Sequence, residues 1–423
     1  MALLTGLLSI RKNPVVKSIG IYTFTNFFTK SISFLLIPLF TNPVYLTAAD
    51  NGFLSLFNSS IVFLVPFISM GLVQSTSTDF FKLDKNAFRN FFTTSLVLPV
   101  ALTLISTGVL LFYREMLFQK FGFPYSFTWL IPLLTLLTYF NEQLLGLIRN
   151  NSEPYYFLGV GVSKSVIELG LAVVLIVFFQ YHWLGRVIGI SVSYLLITVT
   201  AFIYFYKRGY LGGKISKAYL KSELVYALPI IVLQLSIFVM SSSDKFFLAG
   251  DRAVVGIYGV ACTFSSIILI LSSGLLQYIF PKIFSMLSEP VVQYATIRRH
   301  FYFYVLIMMA GTISVLLITP LFYKLFINVK YHHALQYIYL IVLGYFAWTI
   351  TYFFYSFLLY NKQKQQILLL SLGSILVSLG CNYFFISRFG DTGAAIAVCS
   401  CYFLMMFITI FFTRPYWRLF LLK

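Results

Sequence analysis

The chain alternates long apolar runs with short polar connections. Twelve runs stand out, near residues 16–40, 51–75, 90–113, 127–148, 155–180, 184–206, 223–248, 255–281, 301–323, 334–360, 366–387 and 391–413. Most are long enough to cross a bilayer as a helix of about 20 residues. Their apolar residues are continuous rather than alternating, which predicts helices and not barrel strands. Pro38, Pro66, Pro99, Pro132, Pro229, Pro281 and Pro320 fall in or at the ends of these runs. Neighbouring helices can satisfy the carbonyls that proline frees, so kinked helices are expected. Met1–Ile10 is apolar but precedes Arg11, Lys12 and Lys17, the reverse of a signal peptide's order, and reads as a short interfacial segment.

The polar connections set the topology. With the N-terminus inside, 20 basic residues fall on the inner side and 8 on the outer side. Basic residues are retained on the cytoplasmic side, so both termini are expected there. The longest inner connection, Lys207 to Lys221, carries five basic residues. It divides the chain into an N-terminal six-helix half (1–206), a basic cytoplasmic linker (207–222) and a C-terminal six-helix half (223–423). The second helix of each half opens alike. Gly52 precedes a Ser59-Ser60 pair and an aliphatic stretch, and Gly256 precedes Ser265-Ser266 and another. Six crossings return the chain to its starting side, so the halves read as parallel repeats about an axis along the membrane normal. The expected fold is an all-α integral membrane protein, twelve transmembrane helices in two six-helix halves around a central cavity. That is the plan of an alternating-access transporter.

Composition agrees. The chain is 60% hydrophobic and 10% charged, against about 45–50% and about 25% for soluble domains, and its mean hydropathy is +0.89. This excludes a disordered chain and a secreted disulfide scaffold. A net charge of +18 would suggest nucleic acid in a soluble protein. Here the topology rule accounts for it, and no nucleic-acid partner is expected. Cys262, Cys381, Cys399 and Cys401 all lie in apolar runs and imply no disulfide framework. No connection exceeds about 20 residues, which leaves no room for a folded catalytic domain, and there is no phosphate-binding Gly-Lys-Ser/Thr loop. The protein is not expected to be an enzyme. His332-His333 and Cys399-x-Cys401 do not make a metal site, and no metal or cofactor is expected.

The ionisable residues inside the apolar runs are the informative ones, because each costs a few kcal/mol unless it faces a cavity or a partner. The first helix carries Lys30 on a polar stripe with Thr23, Asn26 and Ser33. The fourth carries Glu142, in line with Arg149. The fifth carries Lys164 and Glu168, an i,i+4 pair on one face that could neutralise itself. The seventh ends in Asp244 and Lys245, where the interface would let both reach water. Lys30 has no acidic neighbour on its own helix. A cavity lined by Lys30 and Lys164 would attract an anion, the more so in low dielectric. Buried carboxylates titrate nearer neutrality, so Glu142, Glu168 and Asp244 are candidate proton or cation sites. The 47 Phe, 30 Tyr and 4 Trp exceed what interfacial belts need and suit both lipid tails and sugar rings.

Several short motifs then align with one family. They are Gly52-Phe53-Leu54-Ser55-Leu56 opening the second helix, and Ala227-Leu228-Pro229 with Ser243-Asp244-Lys245 in the seventh. Val255-Gly256-Ile257-Tyr258-Gly259 follows in the eighth, and Gly390-Asp391-Thr392-Gly393-Ala394-Ala395 opens the twelfth. In this order the chain resembles the bacterial polysaccharide (O-antigen type) flippases of the multidrug/oligosaccharidyl-lipid/polysaccharide exporter superfamily. The resemblance implies a multi-pass protein of the bacterial cytoplasmic (inner) membrane. It implies movement of undecaprenyl-pyrophosphate-linked oligosaccharide from the cytoplasmic to the periplasmic leaflet, for O-antigen or other surface polysaccharide. Its partners would be membrane lipid, a polysaccharide polymerase and chain-length proteins. Lys30, Lys164 and Asn26 would then bind the substrate's pyrophosphate or acidic sugars. Two alternatives stay open: a cation-coupled multidrug exporter of the same superfamily, and a membrane enzyme of polysaccharide assembly.

Overall fold

Caps, prolines and glycines punctuate the helices where the runs end. A computed structural model describes residues 14–289, 294–361 and 363–421, so the expected interfacial segment Met1–Ile10 lies outside the described residues. α1 (Pro14–Leu35) starts on a proline, which suits a first turn whose N–H groups have no partner, and one further turn follows at Ile37–Phe40. α2 (Ala48–Ser69) is capped reciprocally: the Thr47 hydroxyl accepts from the Asp50 N–H at 3.1 Å, and the Asp50 carboxylate accepts from the Thr47 N–H at 2.9 Å. Met70 and Gly71, both at positive φ, break the run before α3 (Leu72–Asp79). The Asp84 side chain caps α4 (Lys85–Ser95), which leads into α5 (Val97–Phe112) and α6 (Arg114–Phe121).

α7 (Phe127–Asn150), α8 (Pro154–Val177), α9 (His182–Lys207) and α10 (Lys217–Phe247) follow. Asp251 caps α11 (Arg252–Ser265), and α12 (Ile267–Ser288), α13 (Tyr294–Phe326) and α14 (Ala334–Tyr360) come next. α15 (Lys364–Phe412) and the short α16 (Arg414–Leu421) complete the order. No strand occurs among the described residues.

Among the described residues, eleven stretches are long and apolar enough to cross a membrane. The last of them, α15, is 49 residues long, about 74 Å as a straight helix and more than twice a bilayer's hydrocarbon core. It is not straight. Gly390 sits at φ 59°, ψ −132°, a conformation only glycine adopts freely, and folds the chain back on itself. Gly393 then lies so close to the other arm that a Cβ there would stand 2.1 Å from the Phe385 carbonyl oxygen. α15 therefore supplies the eleventh and twelfth expected crossings, and the all-helical membrane architecture follows the apolar runs.

The chain forms two compact units. The first holds the residues up to Leu36 and Phe57–Ile231; the second holds Ile37–Leu56 and the residues from Val232 onward. The boundaries fall just after α1, inside α2 and inside α10. In the first unit an aromatic core of Phe88, Phe91, Phe92, Leu147, Ile148 and Phe205 joins α4, α7 and α9. The basic connection after α9 is docked on α4 through its backbone. Arg89 donates to the Leu211 carbonyl at 2.7 Å, the Lys214 N–H to Asn90 at 2.7 Å, and the Ser216 N–H to Thr94 at 3.1 Å. In the second unit α14 and α15 are closely packed, with Gly344 against Cys399, and the opening turns of α2 lie against those of α11 at Gly52 and Gly256.

Candidate functional site

Within the first unit, α8 and α9 form a hairpin whose seam is built from small residues. Gly185, Gly189 and Ser193 recur every fourth position on α9, the spacing that lets membrane helices approach closely. A Cβ on Gly189 would lie 2.6 Å from the Glu168 carbonyl oxygen, and the Ser193 hydroxyl donates to the Lys164 carbonyl at 2.9 Å. This close antiparallel approach decides which side chains meet. Glu168 pairs with Arg186 of α9 at 3.3 Å, both side chains more than four-fifths buried. Lys164 does not take Glu168; its ammonium lies over the Tyr194 ring, 4.3 Å from the centroid, where the ring's negative face attracts it. Glu142 on α7 is exposed, and it joins Lys164, Glu168 and Arg186 within electrostatic reach of the Tyr194 hydroxyl.

α1 packs on the same hairpin. A Cβ on Gly161 of α8 would meet the Thr25 methyl at 2.7 Å and the Thr29 methyl at 3.8 Å. Thr25 and Thr29 turn their hydroxyls back onto the Ile21 and Asn26 carbonyls, so α1 presents methyl groups to α8. Asn26 and Lys30 are exposed beside this contact. α1 and α8 cross in the same direction. Lys30 stands about 7.5 Å beyond Thr25 and Lys164 about 4.5 Å beyond Gly161 along their axes, so the backbones of the two lysines lie at similar depth. Lys30 forms no ion pair among the described residues. With Glu168 and Arg186 neutralising each other, Lys30, Lys164 and Glu142 leave this face of the first unit with a net positive charge.

The structure thus brings Lys164, Glu168 and Glu142 around Tyr194, with Lys30 and Asn26 on the helix beside them. Arg186 and Tyr194 were not singled out in the sequence. Arg186 sits four residues into α9, where it reads as a loop cation, and the Gly185-x3-Gly189-x3-Ser193 spacing was the available signal for the contact that buries it.

Asp244 belongs to the second unit and is 3% exposed. It accepts from the Tyr258 hydroxyl at 2.5 Å and from the Lys245 N–H at 2.9 Å. The adjacent Ser243 accepts from Asn382 at 3.0 Å, while Ser378 donates to the Val239 carbonyl. These bonds tie α10 to α11 and to α15. The same unit contains a cavity of about 510 Å³ between α12 and α14, lined by Ser272, Ser273, Gln277, Phe280, Trp348 and Tyr352 among others. Its lining carries no formal charge.

No protein-family profile matches the sequence, and no curated protein matches it. Solved structures do match. An inward-facing multidrug resistance MATE family transporter of the MOP superfamily superposes with a TM-score of 0.71 at 14% identity, over 93% of this chain and 94% of that one. The lipid II flippase MurJ, in an inward closed conformation, superposes with a TM-score of 0.75 at 10% identity, over 93% of this chain and 87% of that one. The fold is that of MOP-superfamily transporters. A third structure, a MOP superfamily transporter from Pyrococcus furiosus, matches at a TM-score of 0.55 and 14% identity over 96% of both chains, and a reversed polarity of its binding pocket was taken to suggest a different function. One scaffold thus serves drug transporters, a lipid flippase and a pocket of altered polarity, so the character of the pocket has to be read in each chain.

Proposed function

We propose that this protein is a flippase that carries an undecaprenyl-pyrophosphate-linked oligosaccharide across the bacterial inner membrane by alternating access. The observation that supports this reading best is the pair of intramembrane lysines, Lys30 and Lys164, neither of them held by a carboxylate ion pair among the described residues. An ammonium in low dielectric attracts a pyrophosphate strongly, and retention of two lysines is hard to reconcile with a cationic cargo. Asn26, one turn before Lys30, adds a hydrogen-bonding amide. Lys30 and Lys164 hold the charged link of the substrate, a group that repeat units of different sugar content have in common.

The second reading, a cation-coupled multidrug exporter, draws on the likeness to the MATE transporter and on Glu142, an exposed carboxylate at membrane depth. Deleting the gene and measuring surface polysaccharide together with extracted lipid-linked repeat units separates the two. Loss of surface polymer with single repeat units accumulating on the cytoplasmic leaflet supports the flippase. Normal polymer and no accumulation supports export of drugs, and accumulation on the periplasmic leaflet points to a polymerisation step. Complementation with Lys30→Ala, Lys164→Ala and the double variant then tests the cationic face. Full activity in all three would remove the lysines from the mechanism.

A further inference from the structure

Glu223 lies in the second turn of α10, just before the apolar span that begins at Ala227. It is 4% exposed. One carboxyl oxygen, Oε1, accepts from the Ser75 hydroxyl of α3 at 2.7 Å. The other, Oε2, is buried and has no hydrogen-bond partner among the described residues. No lysine or arginine forms an ion pair with it there. The charged and titratable groups that face it are Asp79, one turn beyond Ser75 on α3, and Tyr139 on α7. On its own helix Lys217 and Lys221 are exposed. The surroundings are otherwise neutral: Gln143 of α7 donates to the Thr76 hydroxyl at 3.2 Å and to the Tyr139 hydroxyl at 2.9 Å. The two helices are closely applied, since a Cβ on Gly71 would stand 2.5 Å from Ile230.

An ionised carboxylate is an acceptor of up to about four hydrogen bonds. Here it would hold one, with a second carboxylate nearby and no cation. A neutral carboxyl fits the same place far better, because burial penalises only the charged form. We propose that Glu223 is a proton-binding site that fastens the start of α10 to α3: protonated, it stays docked against Ser75; ionised, it leaves. The proton comes from water to Oε2 and returns to water, with no other bond made or broken. Burial is the main cause that holds this carboxyl at about 7, with the Ser75 bond working downward and Asp79 upward. Glu223 would therefore change charge near neutrality. The inference goes beyond the flippase reading and does not depend on it.

The test is a pH titration of the purified full-length protein in detergent, followed by infrared difference spectroscopy in the protonated-carboxyl region. The wild type is expected to show a carboxyl band that titrates near neutrality and is missing in Glu223→Gln. Ser75→Ala should move the midpoint up and Asp79→Asn should move it down, which keeps the test decisive if Glu223→Gln does not fold. Superimposable spectra of wild type and Glu223→Gln, or a midpoint unmoved by both neighbours, would overturn the proposal. So would a midpoint that falls in proportion to added sodium but not to choline, which would make sodium the ligand. No transported substrate enters the measurement, so its failure leaves the flippase reading standing, and the reverse also holds.

Discussion

Gly52 and Gly256 meet reciprocally. A Cβ on Gly52 would lie 1.8 Å from the Arg252 carbonyl oxygen, and a Cβ on Gly256 would lie 1.9 Å from the Ala48 carbonyl oxygen. Each carbonyl belongs to the residue four positions before the opposite glycine. Such mutual contacts are what a local twofold between two helices produces. One turn further, Ser55 lies against Gly259, where a Cβ would stand 2.4 Å from the hydroxyl oxygen. The start of α2 and the start of α11 therefore touch backbone to backbone, an approach that no side chain larger than hydrogen permits.

Gly256→Ala should lower stability by about 1–3 kcal/mol, the usual range for forcing atoms into a packed contact, and Gly256→Leu by more. Gly274 on α12 has open space where a Cβ would go. Gly274→Ala should be neutral or stabilising by up to about 1 kcal/mol through its better helix propensity. Thermal unfolding in one detergent compares all three. Equal behaviour of Gly256→Ala and Gly274→Ala would contradict the close approach.

Glu168→Gln should destabilise more than Lys164→Met. It leaves the buried Arg186 guanidinium without its carboxylate, and breaking a buried pair on one side costs about 3–5 kcal/mol. Lys164 loses only its contact with the Tyr194 ring, worth about 1–2 kcal/mol. The double variant Glu168→Gln/Arg186→Gln should recover part of the loss. A double-mutant cycle on unfolding midpoints measures it, and strictly additive effects would argue against the pair.

Tyr258→Phe removes the shortest hydrogen bond to Asp244 and leaves that carboxylate nearly buried. A loss of about 1–3 kcal/mol is expected. Asn382→Ala, which removes a donor to the neutral Ser243 hydroxyl, should cost only about 1 kcal/mol. Denaturant unfolding of the two variants side by side tests the order, and a larger loss in Asn382→Ala would reverse it.

Stability should depend on pH through Glu223. Its carboxyl titrates near 4.5 in the unfolded chain and at about 7 in the fold, so the folded state binds more protons between those values. Stability then falls as pH rises from about 4.5 to about 7, by on the order of 3 kcal/mol, and is level above that. Glu223→Gln should flatten this slope. Melting temperatures across the range check it, and an unchanged slope in the variant would assign the effect to other groups.

The transmembrane architecture was legible because lipid demands long apolar runs. Even the long α15 reads as two crossings, since Gly390-Asp391 interrupts its apolar pattern. The site was only half legible. Lys164 and Glu168 announce themselves by charge and share a face, but a one-dimensional reading offers them to each other. The partner of Glu168 is set by the neighbouring helix, and Arg186 is close enough to the turn before α9 to pass for a surface cation. Glu223 was hidden for a related reason. It stands among Lys217, Lys221 and Ser222, a stretch that reads as interfacial, and only the return of α3 over it makes it buried. Gly52 and Gly256 were visible as equivalent positions of two similar segments, yet nothing in the pattern tells that equivalents touch.

The α8–α9 seam has a consequence for how the protein enters the membrane. The two helices are joined by a turn of only a few residues, and both the Glu168–Arg186 pair and the contact of Lys164 with the Tyr194 ring lie inside that hairpin. Inserted one helix at a time, Arg186 would reach the membrane without its carboxylate. Inserted as a folded hairpin, the carboxylate and guanidinium arrive already joined, and the lysine arrives with its ring. Biogenesis should therefore treat these two segments as one cargo, released sideways from the insertion machinery together.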